Sequence, residues 1–253
     1  MFEYQRLMKD FDGDMMDIVS ESQLKPGDKE LVQITHDECH FYANDGLKEA
    51  FILRSVQTDG YWKSEYMLDQ LVHQAIPIFE ILHPGCVGAF CFDQSMNHNA
   101  MVADALIAVR MNLSPRGAQP KMRNGWYINE NGKKLVHLMP EKGIRLMCEQ
   151  YFGKQDDIDS ERLDCCARRI MSLQPDFCEQ RSILEEAIIK AGHIFECYPK
   201  FHCECNFIER YWGFAKRKTR RLCNYNYNDL LLQVPEVLIS VPVTTIHKFA
   251  RKS

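Results

Sequence analysis

Apolar residues recur along this chain with two different periods. Over residues 61–82, Tyr66, Leu68, Leu71, Val72, Ala75, Ile78, Phe79 and Leu82 return at three- and four-residue steps, which is one face of a helix. His83-Pro84-Gly85 stops it. Two shorter runs are continuously apolar or β-branched. Leu31–Thr35 follows the Pro26-Gly27 turn, and Val87–Phe92 follows Gly85; both read as strands. The first runs into His36-Asp37-Glu38, the second into Asp93. His193–Tyr198 is again strand-like and ends at Pro199. Asn206 then caps a helix from Phe207 to about Arg221.

The remaining segments are less regular. Met8, Phe11, Met15, Met16 and Ile18 fit one side of a short helix broken by Gly13, so residues 1–29 read as an N-terminal helical arm. A helix is expected from about Ala100 to Met111. Residues 112–192 change character. Pro115, Gly117 and Pro120 open a loop, and Asn131-Gly132 sits between Trp126-Tyr127-Ile128 and Leu135-Val136-His137-Leu138 as in a hairpin. Helices follow around 141–152, 160–173 and 178–191, with Gly153 and Gly192 as C-terminal caps. Residues 228–251 read as two short helices with Pro235 and Pro242 near their starts. The pattern predicts an α/β protein: a core over 30–111 and 193–253, interrupted by a hairpin-plus-helix insertion over 112–192.

Composition narrows this picture only a little. The chain has 253 residues, 45% hydrophobic and 26% charged, which suits a folded globular protein. A net charge of −4 does not favour nucleic acid as a partner, so charge distribution must decide. The 11 cysteines are odd in number and irregular in spacing. With no secretory signal pattern at the N-terminus, they are expected to be reduced thiols. No apolar run approaches the ~20 residues that span a bilayer, so no membrane partner is expected.

The acids carry the chemistry. Two strands end in an aspartate, Asp37 and Asp93, and a later helix has Glu209 in its first turn. Carboxylates on separate elements that meet at one end of a sheet can hold two Mg²⁺ or Mn²⁺ ions for phosphodiester cleavage. Acids at strand ends are common as solvated loop residues, and Glu209 could equally close a capping box with Asn206. Position alone favours those plainer readings, and Glu204 stands near enough to rival Glu209.

The local sequences are more specific. Ile34-Thr35-His36-Asp37-Glu38-Cys39-His40-Phe41-Tyr42 resembles the first catalytic block of the mariner-type transposase superfamily, and Phe92-Asp93-Gln94-Ser95-Met96-Asn97-His98 resembles the second. Tyr198-Pro199-Lys200-Phe201-His202-Cys203-Glu204-Cys205-Asn206-Phe207-Ile208-Glu209-Arg210-Tyr211-Trp212 resembles the third, with its Asn-x-Ile-Glu core. Asp59-Gly60-Tyr61-Trp62, His83-Pro84-Gly85-Cys86, Asp164-Cys165-Cys166-Ala167-Arg168-Arg169 and Gln174-Pro175-Asp176-Phe177 are similar to a fungal transposon-derived group of DDE-superfamily endonucleases.

That resemblance implies an RNase H-like core, a mixed sheet flanked by helices. It implies Asp37, Asp93 and Glu209 as catalytic, metal-binding residues for two Mg²⁺ or Mn²⁺ ions, with His98 and Glu38 supporting them. The implied partner is double-stranded DNA, both transposon ends and target, handled in the nucleus by a protein that can act as a homodimer. Departures accompany it. Gln94 replaces the usual asparagine. The passage from Asn44-Asp45-Gly46 to Val56 is too short for the family's further strands, and no N-terminal helix-turn-helix is recognisable. A truncated or decayed copy, a cytoplasmic and inactive nucleic-acid-binding derivative, is the alternative.

Two further clusters complete the reading. Lys216, Arg217, Lys218, Arg220 and Arg221 follow Glu209 on one helix with no acid among them, which suits DNA phosphates or a solvated helix end. Cys165-Cys166, His202, Cys203 and Cys205 suggest zinc, but without the spacing of a zinc motif. Trp212 is expected in the core.

Overall fold

The computed structural model describes residues 4–37, 62–112, 114, 120–128, 131–137, 163–222 and 227–252. The chain divides into two compact units, Met1–Ala100 with Leu184–Ser253, and Met101–Ile183. The insertion expected over 112–192 overlaps the second unit, which starts and ends earlier. Glu38, the 46–56 connection and the helix expected over 141–152 lie outside the described residues.

The first unit is built on three parallel strands: β3 (Leu31–Thr35), β4 (Val87–Phe92) and β7 (Ile194–Cys197), in the order β3-β4-β7. The architecture is mixed α/β. β4 is central, and Gly88 to Phe92 are all buried, as expected of a parallel strand covered on both faces. Gly88 is required there: a Cβ would lie 2.7 Å from the Phe90 ring and 2.8 Å from Ile34 Cδ1. In register, Thr35 faces Cys91 and Phe92 faces Cys197. The strands therefore finish level with one another, and the next residues of each emerge at one end of the sheet. Among the described residues, β3 pairs only with β4.

α1 (Ser64–Gln70), a π-turn (Leu71–Ala75) and α2 (Ile76–Leu82) form one continuous helical rod, as the periodicity predicts. The π-turn has a cause in Pro77. Proline has no N–H to donate and its ring crowds the carbonyl four residues back. The ladder widens just before it, and the Ile76 N–H bonds to Leu71 O, five residues back.

The helical arm expected over 1–29 is not formed. β1 (Asp10–Asp12) and β2 (Ile18–Ser20) pair antiparallel, preceded by a single 3-10 turn at Gln5–Leu7. Gly13 takes φ +87° and its N–H is bound by the Asp12 carboxylate at 2.7 Å. Local side-chain bonding of that kind favours a turn over a helix.

After β7, α6 (Phe207–Leu222) packs on α7 (Tyr227–Ile239), and α8 (Val243–Arg251) follows Pro242. Trp212, Ala215, Leu230, Val234, Val237 and Leu238 form their shared core, so Trp212 is a packing residue. Pro235 lies inside α7 rather than at a helix start. α5 (Ile183–Lys190) closes with Gly192 at φ +84°. Its last carbonyls are capped by Gly192 N–H to Ile189 O at 3.0 Å and His193 N–H to Ile188 O at 3.1 Å, a Schellman ending.

In the second unit, β5 (Gly125–Ile128) and β6 (Lys134–His137) form the expected hairpin, with Gly132 at φ +72°. α3 (Leu163–Ser172) and α4 (Pro175–Cys178) accompany it. Buried Asp176 accepts from the Trp126 N–H at 2.9 Å and from the Phe177 N–H at 3.0 Å. The helix expected over 100–111 is absent except for a 3-10 turn at Ala108–Arg110. Its backbone is bonded elsewhere: Leu106 N–H donates to Gln180 Oε1 at 3.0 Å, and Asp104 O accepts from Arg123 N–H at 2.7 Å. Burial of Ala105, Leu106, Ala108 and Met111 is achieved by an irregular segment.

Candidate functional site

Where the three parallel strands end, their following residues enclose a cleft of about 270 Å³. Asp37, Asp93 and Glu209 all line it, together with Gln94, Ser95, Tyr198 and the Pro199–His202 turn. Asp37 and Asp93 each lie two residues past the last β3/β4 pair, Thr35 with Cys91. The three acids singled out in the sequence thus share one cavity.

A chain of hydrogen bonds joins the elements that carry them. Gln33 Nε2 donates to the Tyr198 hydroxyl at 3.0 Å. Tyr198 and Thr35 Oγ1 are 2.5 Å apart, and Thr35 Oγ1 donates to Asn206 Oδ1 at 3.1 Å. Since the Thr35 proton goes to Asn206, Tyr198 must be the donor to Thr35. Burial pushes the Tyr198 phenol up to about 12, against the smaller opposing effect of its hydrogen bond with Thr35, so it keeps that proton. Asn206, itself buried, also accepts from the Ile208 N–H at 3.4 Å as the N-cap of α6. Gln94 Nε2 donates to Tyr198 O at 3.2 Å. Gln94 therefore ties the end of β4 to the end of β7.

Asp93 is held from below. His98, fully buried, directs Nδ1 at the Asp93 carboxylate and at its backbone carbonyl, 3.0 Å away. Donation to both oxygens fixes the Nδ1–H tautomer. The Ser95 N–H also donates to Asp93 Oδ1, at 3.2 Å. Both carboxylate contacts fall on Oδ1; among the described residues, Oδ2 accepts no hydrogen bond. His36 lies edge-on to His98, with ring centroids 5.5 Å apart, and against Phe92. Desolvation, then the neighbouring His98, lowers its pKa to about 4. It is a neutral packing residue.

Glu209 is exposed, and among the described residues its side chain makes no hydrogen bond or ion pair. The capping box is thus only half made, with Asn206 bound to the helix and the Glu209 carboxylate turned to the cleft. Glu204 is placed differently. It sits in the 3-10 turn Cys203–Cys205 and accepts from His202 Nδ1 at 2.7 Å. That bond holds its carboxyl below the usual range, and Glu204 does not line the cleft.

The basic helix is not uniform. Arg217, Arg220 and Arg221 are exposed. Lys218 Nζ is bound to Ser240 Oγ at 2.5 Å, and Arg210 is spent on the carbonyls of Phe249 and Lys252. From Glu209 to Arg221 the helix rises about 18 Å at 1.5 Å per residue, so the exposed arginines lie beyond the cleft.

Among the described residues, no three His, Cys, Asp or Glu side chains, Asp37, Asp93 and Glu209 included, gather closely enough to form a ready-made metal-ligand group. Cys86, Cys91, Cys178, Cys197 and Cys205 are free thiols, and the side chains of Cys165, Cys166 and Cys203 lie outside the described residues. Among the described residues, no helix is long and apolar enough to cross a membrane. Comparison of the chain with models of known families, with curated proteins and with solved structures returns no match. Sequence reasoning missed the Tyr198–Thr35–Asn206 relay. Its only trace was that Thr35 lies inside the first of the three blocks and Tyr198 and Asn206 inside the third.

Proposed function

We propose that this chain is a transposase-like DDE endonuclease that cuts DNA phosphodiesters on an RNase H-like core. One observation carries the reading: Asp37, Asp93 and Glu209, from three separate elements, line one cleft where parallel strands end. Carboxylates lining one cleft at the end of a sheet are the raw material for that chemistry; as they stand they do not form a closed ligand group, and bound ions would draw them together. The donor set is all oxygen, as Mg²⁺ and Mn²⁺ prefer, and Mg²⁺ takes only one or two carboxylates beside water and phosphate.

Asp37 and Asp93 would hold the ions and Glu209 would complete one site. When bound, such a pair activates the attacking water and stabilises the leaving oxygen. The protein's own residues do the positioning. His98 and Ser95 occupy Asp93 Oδ1, which leaves Oδ2 for the cleft. Asn206 fixes the helix entry that carries Glu209, and Thr35 ties that entry to the strand before Asp37. Arg217, Arg220 and Arg221 supply phosphate contacts along the duplex, about three to five base pairs from the cut at about 3.4 Å each.

The test is nicking of supercoiled plasmid with Mn²⁺ or Mg²⁺. Nicking should depend on the metal and vanish in Asp93→Asn. DNA binding without nicking in the wild-type chain would instead identify an inactive nucleic-acid-binding derivative.

A further inference from the structure

Phe201 carries two costs at one position. Its side chain is 89% exposed, so it forgoes the burial a phenylalanine ordinarily gains. Its backbone sits at φ +67°, the left-handed region in which a bulky residue is an outlier. The turn explains the angle. His202 N–H bonds back to Pro199 O at 3.2 Å, closing a turn with Phe201 in the third place, where a positive φ calls for glycine or asparagine. Outliers of this kind concentrate at functional sites, and this one lines the carboxylate cleft.

The surroundings narrow the ligand. The Lys200 ammonium lies 5.2 Å from the Phe201 ring centroid, and His202, oriented by Glu204 at 2.7 Å, follows on the same turn. A flat apolar ring beside an ammonium, on a cleft that also carries three carboxylates, fits a group with a π-face attached to a phosphate. Nucleobases stack on exposed aromatics without regard to sequence. A base inside a duplex has its faces covered, so only an unpaired nucleotide can offer one.

We propose that Phe201 is a stacking platform for an unpaired base beside the phosphate at Asp37, Asp93 and Glu209. The preferred substrate is then DNA with an unstacked nucleotide at the cut. This rests on the nucleic-acid reading of the cleft.

The experiment compares two oligonucleotide duplexes, one fully paired and one with a single unpaired 2-aminopurine, bound in Ca²⁺ without cleavage. The wild-type chain should bind the unpaired form about tenfold tighter and quench its fluorescence, in line with base–aromatic stacking energies. Phe201→Ala and Phe201→Gly should lose that preference, and Phe201→Trp should keep it. Thermal melting should not fall in Phe201→Gly, since glycine relieves the backbone. Equal wild-type affinity for the two duplexes, or a preference that survives in Phe201→Ala, overturns the proposal. So does loss of self-association in Phe201→Ala with DNA binding intact, which would make the ring a contact between copies. A Phe201-dependent preference without metal-dependent nicking contradicts the endonuclease reading alone; nicking with no Phe201 dependence contradicts the platform alone.

Discussion

Thr35 Oγ1 donates to Asn206 Oδ1 across 3.1 Å, and this bond joins the strand that leads to Asp37 with the helix that presents Glu209. The two residues are far apart in sequence. Asn206 is buried and also caps α6 through the Ile208 N–H. Asn206→Ala removes an N-cap and deprives the partly buried Thr35 hydroxyl of its acceptor, so it should destabilise the fold by about 2 kcal/mol. Urea unfolding measures this. Asn206→Asp, which keeps the acceptor, should recover most of the loss.

His36 gives the metal-free protein a pH dependence. Its pKa falls to about 4 in the fold, against about 6.5 in the unfolded chain. Between those values the unfolded state binds more protons, so stability rises with pH. The contribution is complete above pH 6.5 and is lost as pH falls toward 4, by roughly 2–3 kcal/mol. Denaturation at pH 7 and pH 4.5 should show this slope in the wild type and a smaller one in His36→Phe. Parallel slopes would mean that other groups dominate.

Gly88 faces Phe90 and Ile34 too closely for any side chain. Gly88→Ala should cost about 1–3 kcal/mol through overpacking of β4, readable as a lower urea midpoint with an unchanged m-value.

Arg220 and Arg221 are exposed at the end of α6, whereas Lys218 is bound to Ser240. Substituting the two arginines by alanine should weaken DNA binding. It should also lower the slope of log affinity against log salt by about one for each phosphate no longer neutralised. Lys218→Ala should move the slope less. Equal effects at all three would show that the Ser240 bond does not hold Lys218 away from DNA.

These residues also mark what a reader of the sequence could see. The strands ending at Thr35 and Phe92 were legible because each is a short apolar run bounded by turn residues. Asn206 was legible as a cap, and the rod over 64–82 as a helical period. The N-terminal hairpin was not, because Met8, Phe11, Met15 and Met16 satisfy a helical spacing and only the Asp12–Gly13 contact decides otherwise. The irregular segment around Leu106 depends on Gln180, far along the chain, and no local pattern reports that. The relay through Tyr198 is likewise non-local. The residues of the acidic site could be chosen from sequence blocks, but how Asp93 is held by His98 and how Glu209 escapes its capping box are matters of packing.

The central claim is that Asp37, Asp93 and Glu209 act together, and isosteric substitution tests it most directly. Metal-dependent plasmid nicking should be measured for Asp37→Asn, Asp93→Asn, Glu209→Gln and, beside them, Glu204→Gln. The first three should fall to the metal-free background, while Glu204→Gln, whose side chain lies outside the cleft, stays close to wild type. Activity surviving in Glu209→Gln, or lost in Glu204→Gln with Glu209→Gln active, would contradict the assignment.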